Sequence, residues 1–314
     1  MRALTAVRLY GYNHFMRILN IGSMNIDYVY TVPHFLRPGE TLSSLGMETF
    51  CGGKGLNQSI ALARAGLEVY HAGCIGEDGD MLVQYLAENG VNTSLIHCCP
   101  VKTGHTIIQV DASGQNNILL YGGANRQMTE AYIDEAIAAF SAGDILLLQN
   151  EVNLVDSMIR KAKARGMRVA VNPAPMNQTM RSAPLDLADM LLLNEVEAAD
   201  LCGVADTELQ IPALRARYPD TTLVLTLGEQ GSVYQSPGGG IFRQGIYQVP
   251  VVDTTAAGDT FVAYLLAGLE SGCDVAESLR LAAMAAAVAV SRMGAAASIP
   301  RMNEVRSCER TLRI

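Results

Sequence analysis

The chain has 314 residues, 49% hydrophobic and 17% charged, so it can bury a large core and is not a disordered polypeptide. Its 31 acidic residues outnumber 23 basic ones, and a net charge of −8 argues against a nucleic-acid partner, whose phosphates demand clustered Lys and Arg. Seven cysteines without a C-x-x-C pair suit thiols in a reducing compartment, and five histidines without ligand spacing give no reason to assign zinc.

The first fifteen residues, "MRALTAVRLYGYNHF", are basic but lack the apolar core and cleavage site of a secretory peptide. They read as an N-terminal extension ahead of a start at Met16. "MRILNIGSMNID" opens as an apolar strand and turns polar at Ser23. The stretch 28–50 holds two β-prone pieces, "YVYTV" and "LGMETF", broken by "RPGE". "GGKGLNQSIALARAG" runs from a glycine turn into an amphipathic helix, "EVYHAGCIG" is a strand, and "DGDMLVQYLAENG" is a helix with a glycine stop. Two further β-prone segments within 101–121 flank the turn "DASGQN".

From "DILLLQ" onward strands and helices alternate: helix "VDSMIRKAKARG", strand "MRVAVNPAP", strand "DMLLLNEVE" with a short helix, and strand "TTLVLTLGEQGS". "DTTAAGDTF" then leads into a helix with apolar residues at Phe261, Leu265, Leu266 and Leu269. "LAAMAAAVAV" is too short to span a bilayer and reads as a buried helix. The expected fold is α/β: one domain over 16–314 with a mostly parallel, Rossmann-like sheet flanked by helices. The β-only pieces at 28–50 and 101–121 form a small separate sheet, a lid. A cytoplasmic protein is expected.

Ligands of open α/β sheets bind beyond the carboxyl ends of the strands. "GGKG", "LLLQNE", "LLLNEVE", "LTLGEQG" and "DTTAAGD" all fall at such ends and point to one active site. "GGKG" does not fit the G-x-x-x-x-G-K-[ST] frame, because Glu48 stands where the first glycine belongs. Gly52, Gly53 and Gly55 make either a tight turn into a helix or a backbone that closely approaches a ligand. Asp259 is either a helix cap or an acid–base group beside the anion-attracting amides of a helix start.

"GSMNID", "GGKGLNQ", "NPAP", "NEVE", "TLGEQG" and "DTTAAGDTF" occur in the order and spacing of the ribokinase family of sugar and nucleoside kinases, which the chain resembles from about Met16 to Pro300. The resemblance implies ATP-dependent phosphorylation of the primary hydroxyl of a pentose, D-ribose before other acceptors. A nucleoside, deoxyribose or hexose acceptor and a non-catalytic sugar-binding role are the other readings.

By resemblance Asp259 is the catalytic base, and the amides of Ala256, Ala257 and Gly258 form the anion hole for the transferring phosphoryl group. Asn25, Asp27, Gly53, Lys54, Asn57 and Glu151 contact the sugar. Asn194, Thr226, Leu227, Gly228, Gly231, Gly258 and Ala283 contact the nucleotide, and Glu197 arranges Mg²⁺ through water. A K⁺ ion is held by Asp253, Ser298 and the carbonyls of Thr255, Ala289, Arg292 and Gly294. The resemblance also implies a homodimer through the lid.

Two features stand apart. Cys51, directly before "GGKG", is either a small buried hydrophobe or a site of sensitivity to thiol reagents. Tyr121 with Tyr28, Tyr30 and Phe50 supplies aromatics that would stack on a nucleoside base.

Overall fold

The structure is a computed structural model and describes residues 16–308; the extension 1–15 and the last residues of the expected domain lie outside the described residues. Thirteen strands are described: β1 (Ile18–Ile21), β2 (Asn25–Thr31), β3 (Gly46–Gly52), β4 (Val69–Ile75), β5 (Asn92–Cys98), β6 (Gly104–Val110), β7 (Asn116–Tyr121), β8 (Ile145–Gln149), β9 (Arg168–Asn172), β10 (Met190–Asn194), β11 (Thr222–Thr226), β12 (Ser232–Gln235) and β13 (Ile241–Gln244). The helices are α1 (Lys54–Arg64), α2 (Asp80–Glu88), α3 (Glu130–Ala138), α4 (Val155–Ala164), α5 (Gln178–Arg181), α6 (Glu195–Cys202), α7 (Thr207–Arg217), α8 (Ala257–Glu270), α9 (Val275–Val290), α10 (Ala295–Ser298) and α11 (Met302–Cys308).

The main sheet has the order β13-β12-β11-β10-β9-β8-β1-β4-β5, and all its strands run parallel except β12, which pairs antiparallel with β11 and β13 at one edge. Its central strands are apolar on both faces, as burial between two helical layers requires. Ile18, Leu147, Ala170, Leu192 and Val224 join one core with residues of α1, α8 and α9. Leu19, Leu146, Val171, Leu191 and Leu225 join another with residues of α3, α4, α6 and α7. The α/β architecture and the separate small sheet agree with the sequence reading. That small sheet is four-stranded, in the order β3-β2-β6-β7, and β2 begins at Asn25, so the polar "NID" stretch belongs to it.

Four local differences have physical causes. "TTLVLTLGEQGS" is not one strand: Gly228 and Gly231 take left-handed φ values of 53° and 86°, and the turn they make reverses the chain into antiparallel β12. The sequence reading does not assign α3, although Thr129 carries its signal: the side chain accepts a hydrogen bond from Tyr132 N as an N-cap. Nor does it assign α7, whose pattern is masked by Pro212 inside the helix, or edge strand β5, where only the middle is partly buried. Among the described residues no helix is long and apolar enough to cross a membrane.

Candidate active site

Successive strands end in polar residues on one face. Two positions beyond Leu147, Ala170, Leu192 and Val224 stand Gln149, Asn172, Asn194 and Thr226, and register places Gln149 opposite Asn172 and Asn194 opposite Thr226. Strand alternation therefore turns this polar row toward the layer of α1 and α8. α1 begins at "GGKG" because two backbones must nearly touch there. A Cβ on Gly55 would lie 2.5 Å from the Gly22 carbonyl carbon and Ser23 N, and one on Gly52 would overlap Asp27 Oδ2. Close approach of two segments of the chain thus accounts for these two glycines. Gly53 caps the helix.

Asp259, in the first turn of α8, is buried, and both of its oxygens are held from α1. Gln58 Nε2 donates to Oδ1 at 2.9 Å and Asn57 Nδ2 to Oδ2 at 3.2 Å. Asn57 Oδ1 is buried with no partner, an acceptor available to a donor from a ligand. Ala256 takes a left-handed φ of 61° and caps α8. Of the three expected anion-hole amides, that of Ala257 is engaged, donating to the Thr254 carbonyl at 3.2 Å; those of Ala256 and Gly258 have no such partner among the described residues. The charge of Asp259 holds the Lys54 ammonium above its usual range; burial opposes it, and Glu151 and Glu197 add to it.

Asp27 lies on β2, next to Gly52 of β3 and Thr106 of β6, whose hydroxyl donates to Asp27 Oδ1 at 2.6 Å. Burial pushes the Asp27 carboxyl up to about 6 against the Thr106 hydrogen bond, and nearby Glu151 adds to the rise. Glu151 accepts from Ser23 Oγ and, at 3.1 Å, from Lys54 N. Asn25 accepts from Asn125 Nδ2 at 2.8 Å, and Asn125 also bonds both backbone groups of Met24. Thr106, Asn125 and Gln58 are absent from the residues singled out in the sequence, although "GGKGLNQ" contains Gln58.

Of the four aromatics only Phe50, the register partner of Asp27, shares its face. Tyr28 and Tyr121 alternate away from Asp27 and its partner Thr106, and both rings contact His105, at 6.0 and 5.0 Å. Of the two readings of Cys51, the structure disfavours sensitivity to thiol reagents. Burial first, then Asp27 and Glu88, pushes its thiol up to about 11, so the reactive thiolate is scarce near neutral pH.

Two cavities meet at the head of α8. One of about 230 Å³ is lined by Lys54, Asn172, Glu197, Ala256 and Asp259 among others. The second, of about 710 Å³, runs past Gly228 and Gly231 to Tyr247, Val249, Ala283 and Ala287. Asn194, Thr226, Thr254, Gly258 and Phe261 line both. Of the expected nucleotide residues, Leu227 is the exception: its side chain packs in the core and its amide donates to Gly231 O. The segment 245–251, which walls the larger cavity, carries no motif that the sequence reading uses.

Asn194 and Glu197 form a capping box. Glu197 N donates to Asn194 Oδ1 at 2.8 Å, while the Glu197 carboxylate accepts from Asn194 N and Nδ2. Burial holds the Glu197 carboxyl above its usual range. The two segments expected to hold K⁺ are adjacent: Val252 N and Asp253 N donate to Val290 O, and Gly294 N donates to Asp253 Oδ2 at 3.0 Å. Thr255 N and Oγ1 donate to Asp253 Oδ1. The Ala289 carbonyl accepts from Arg292 N, and buried Ser298 donates to Ala295 O within its own turn.

Residues 16–302 match the pfkB family of carbohydrate kinases. The chain is 36% identical over 281 residues to the ribokinase of Haemophilus influenzae, covering 87% of this chain and 91% of that protein. Its fold superposes on the ribokinase of Cryptococcus neoformans var. grubii in complex with ADP with a TM-score of 0.80 at 32% identity, covering 93% of this chain and 99% of that one. For Arabidopsis thaliana ribokinase complexed with ribose and ATP the TM-score is 0.82 at 29% identity, with 93% and 98% covered. The buried Asp259 at the head of α8, the glycine-bounded start of α1 and these likenesses converge: the chain belongs to the pfkB family of carbohydrate kinases.

Proposed function

We propose that the chain is an ATP-dependent kinase that phosphorylates the 5-hydroxyl of D-ribose. The observation that carries the reading is Asp259, a buried carboxylate beside helix-start amides where two cavities meet. The sugar oxygen attacks the γ-phosphorus, the bond to the β-phosphate oxygen breaks to release ADP, and Asp259 takes the hydroxyl proton. A carboxylate is a weak base, but the hydroxyl proton grows acidic as its oxygen bonds phosphorus. Helix-start amides and the Lys54 ammonium stabilise the charge on the transferring group. The apolar end of the larger cavity suits an adenine ring. ATP as the phosphoryl donor fits a cytoplasmic enzyme.

The sugar site is built from Asp27, Asn25, Asn57 and Glu151, with the unpartnered Asn57 Oδ1 in support. A panel comparing ADP release with ribose, deoxyribose, fructose and nucleosides tests the substrate. Ribose is expected to give the highest kcat/KM, and preference for a nucleoside would overturn the assignment. The lid is proposed to close over the sugar and exclude water, which limits ATP hydrolysis. Its outer strand β7 exposes Ile118, Leu119 and Leu120, and we assign this sheet to a homodimer interface that protects its edges. Sedimentation at micromolar concentration should show a dimer that Leu119→Glu dissociates; a wild-type monomer would rule the interface out.

The residues present fit Mg²⁺ carried with the nucleotide, since Glu197 and Asp259 line the same cavity and this ion keeps much of its water shell. Bound there, it would neutralise phosphate charge. The oxygen donors around Asp253 likewise fit K⁺, and Asp253 ties the loop that carries Ala256 to the one that carries Gly294. Titrating KCl at constant ionic strength should raise the rate, and Asp253→Ala should flatten that response. No response in the wild-type enzyme removes the cation from the mechanism.

A further inference from the structure

One of the two amides holding Asp259, that of Gln58, belongs to a buried chain with only one workable direction. Asn20, Gln58 and Gln149 are each fully buried. Asn20 Nδ2 donates at 2.8 Å to Gly55 O and at 2.8 Å to Ser59 Oγ. A backbone carbonyl can only accept, so Asn20 must present its NH₂ to Gly55 and its oxygen to Gln149. Gln149 Nε2 donates to that oxygen at 2.9 Å and to Gln58 Oε1 at 2.7 Å. Gln58 Nε2 is thereby turned to Asp259 Oδ1 at 2.9 Å and to Asn172 Oδ1 at 3.1 Å. A second carbonyl anchors the other end, because Asn172 Nδ2 donates to Leu192 O at 2.8 Å. Reversing Gln58 or Gln149 would set donor against donor or acceptor against acceptor, a high cost for buried groups.

We propose that Gln58 is a positioning residue for Asp259 and that Gln149 acts through it. Together they hold the carboxylate in one orientation at the cavity wall. The proposal rests on the reading of Asp259 as the base. Misplacement of a reacting group by about 1 Å costs about 100-fold in rate, so the network should act on kcat rather than on binding.

The test uses Gln149→Met, Gln58→Met and the double variant, with kcat, both KM values and thermal midpoint measured for each. Gln149→Met should lower kcat about 10- to 100-fold while both KM values stay within about threefold. Gln58→Met should lower kcat at least as much, and the double variant no further, because Gln149 has no other route to Asp259. Gln149→Glu covers the case in which the thioether variant fails to fold. It keeps the length of the side chain, but a carboxyl carries at most one proton and cannot donate to both Asn20 Oδ1 and Gln58 Oε1 as the amide does, so a loss of kcat is again expected. A folded Gln149 variant with kcat within about twofold of wild type overturns the proposal, as do single-variant losses that multiply in the double variant. Asp259→Asn, measured alongside, separates the two readings. If it is active, the base assignment falls and takes this proposal with it. If it is inactive while Gln149→Met is fully active, only the positioning role falls.

Discussion

Asp259→Asn is expected to lower kcat by about 100- to 10,000-fold, the range of a positioned general base, with the sugar KM nearly unchanged. Asp259 contributes in the transition state, when the proton leaves the attacking hydroxyl, and so affects turnover more than ground-state affinity. The variant also carries a structural cost. Asp259 accepts from Asn57 at one oxygen and from Gln58 at the other, and an asparagine can meet only one of those two donors. A thermal midpoint must therefore accompany the kinetics. A folded variant turning over within about tenfold of wild type would leave Asp259 only a structural role, as the acceptor that ties α8 to Asn57 and Gln58 of α1.

Asp27→Ala should raise the sugar KM by roughly 30- to 700-fold and leave the ATP KM almost unchanged. That is the fold-change equivalent of about 2–4 kcal/mol for two hydroxyl bonds to a charged acceptor. Equal weakening of both substrates would place Asp27 outside the sugar pocket. The carboxyl titrates at about 6, raised mainly by burial, so a pH dependence follows. Below that pH the carboxyl is protonated and accepts less well, and the sugar KM should climb as pH falls through about 6. The stability trend has the opposite sense. The folded value lies above the unfolded one, so the proton-linked stability is present below the unfolded value and is lost as pH rises through about 6. Asp27→Asn should then raise the thermal midpoint more at pH 8 than at pH 5, the pattern of a site that gives up stability for binding. A sugar KM flat between pH 5 and 8 would contradict this account.

Much of the site was legible because its residues punctuate regular elements. The runs "LLLQ", "VAVN", "LLLN" and "LVLT" each end an apolar strand on a polar residue, and a parallel sheet brings such ends to one edge. "GGKG" and "TTAAGD" mark helix starts in the same local way. Asp259, Lys54 and Glu197 are named because the motifs that carry them resemble those of the ribokinase family, and the structure lines one cavity with all three.

What stayed hidden depends on contacts between distant segments. Gln58 reads as an ordinary helix residue until α1 packs on α8 and places it 2.9 Å from a carboxylate 201 positions away. Asn20 and Gln149 read as strand residues until parallel pairing stacks them under that helix. Thr106 becomes the partner of Asp27 only through the register of β2 with β6, and the same register sends Tyr28 and Tyr121 to the other face. Periodicity, capping and turn chemistry act over a few residues, so the sequence alone determined the elements and the polar residues at their ends. Register and helix packing act over the whole core, and only the tertiary structure could decide which of those polar groups share a hydrogen bond, because burial forces each of them to find a partner.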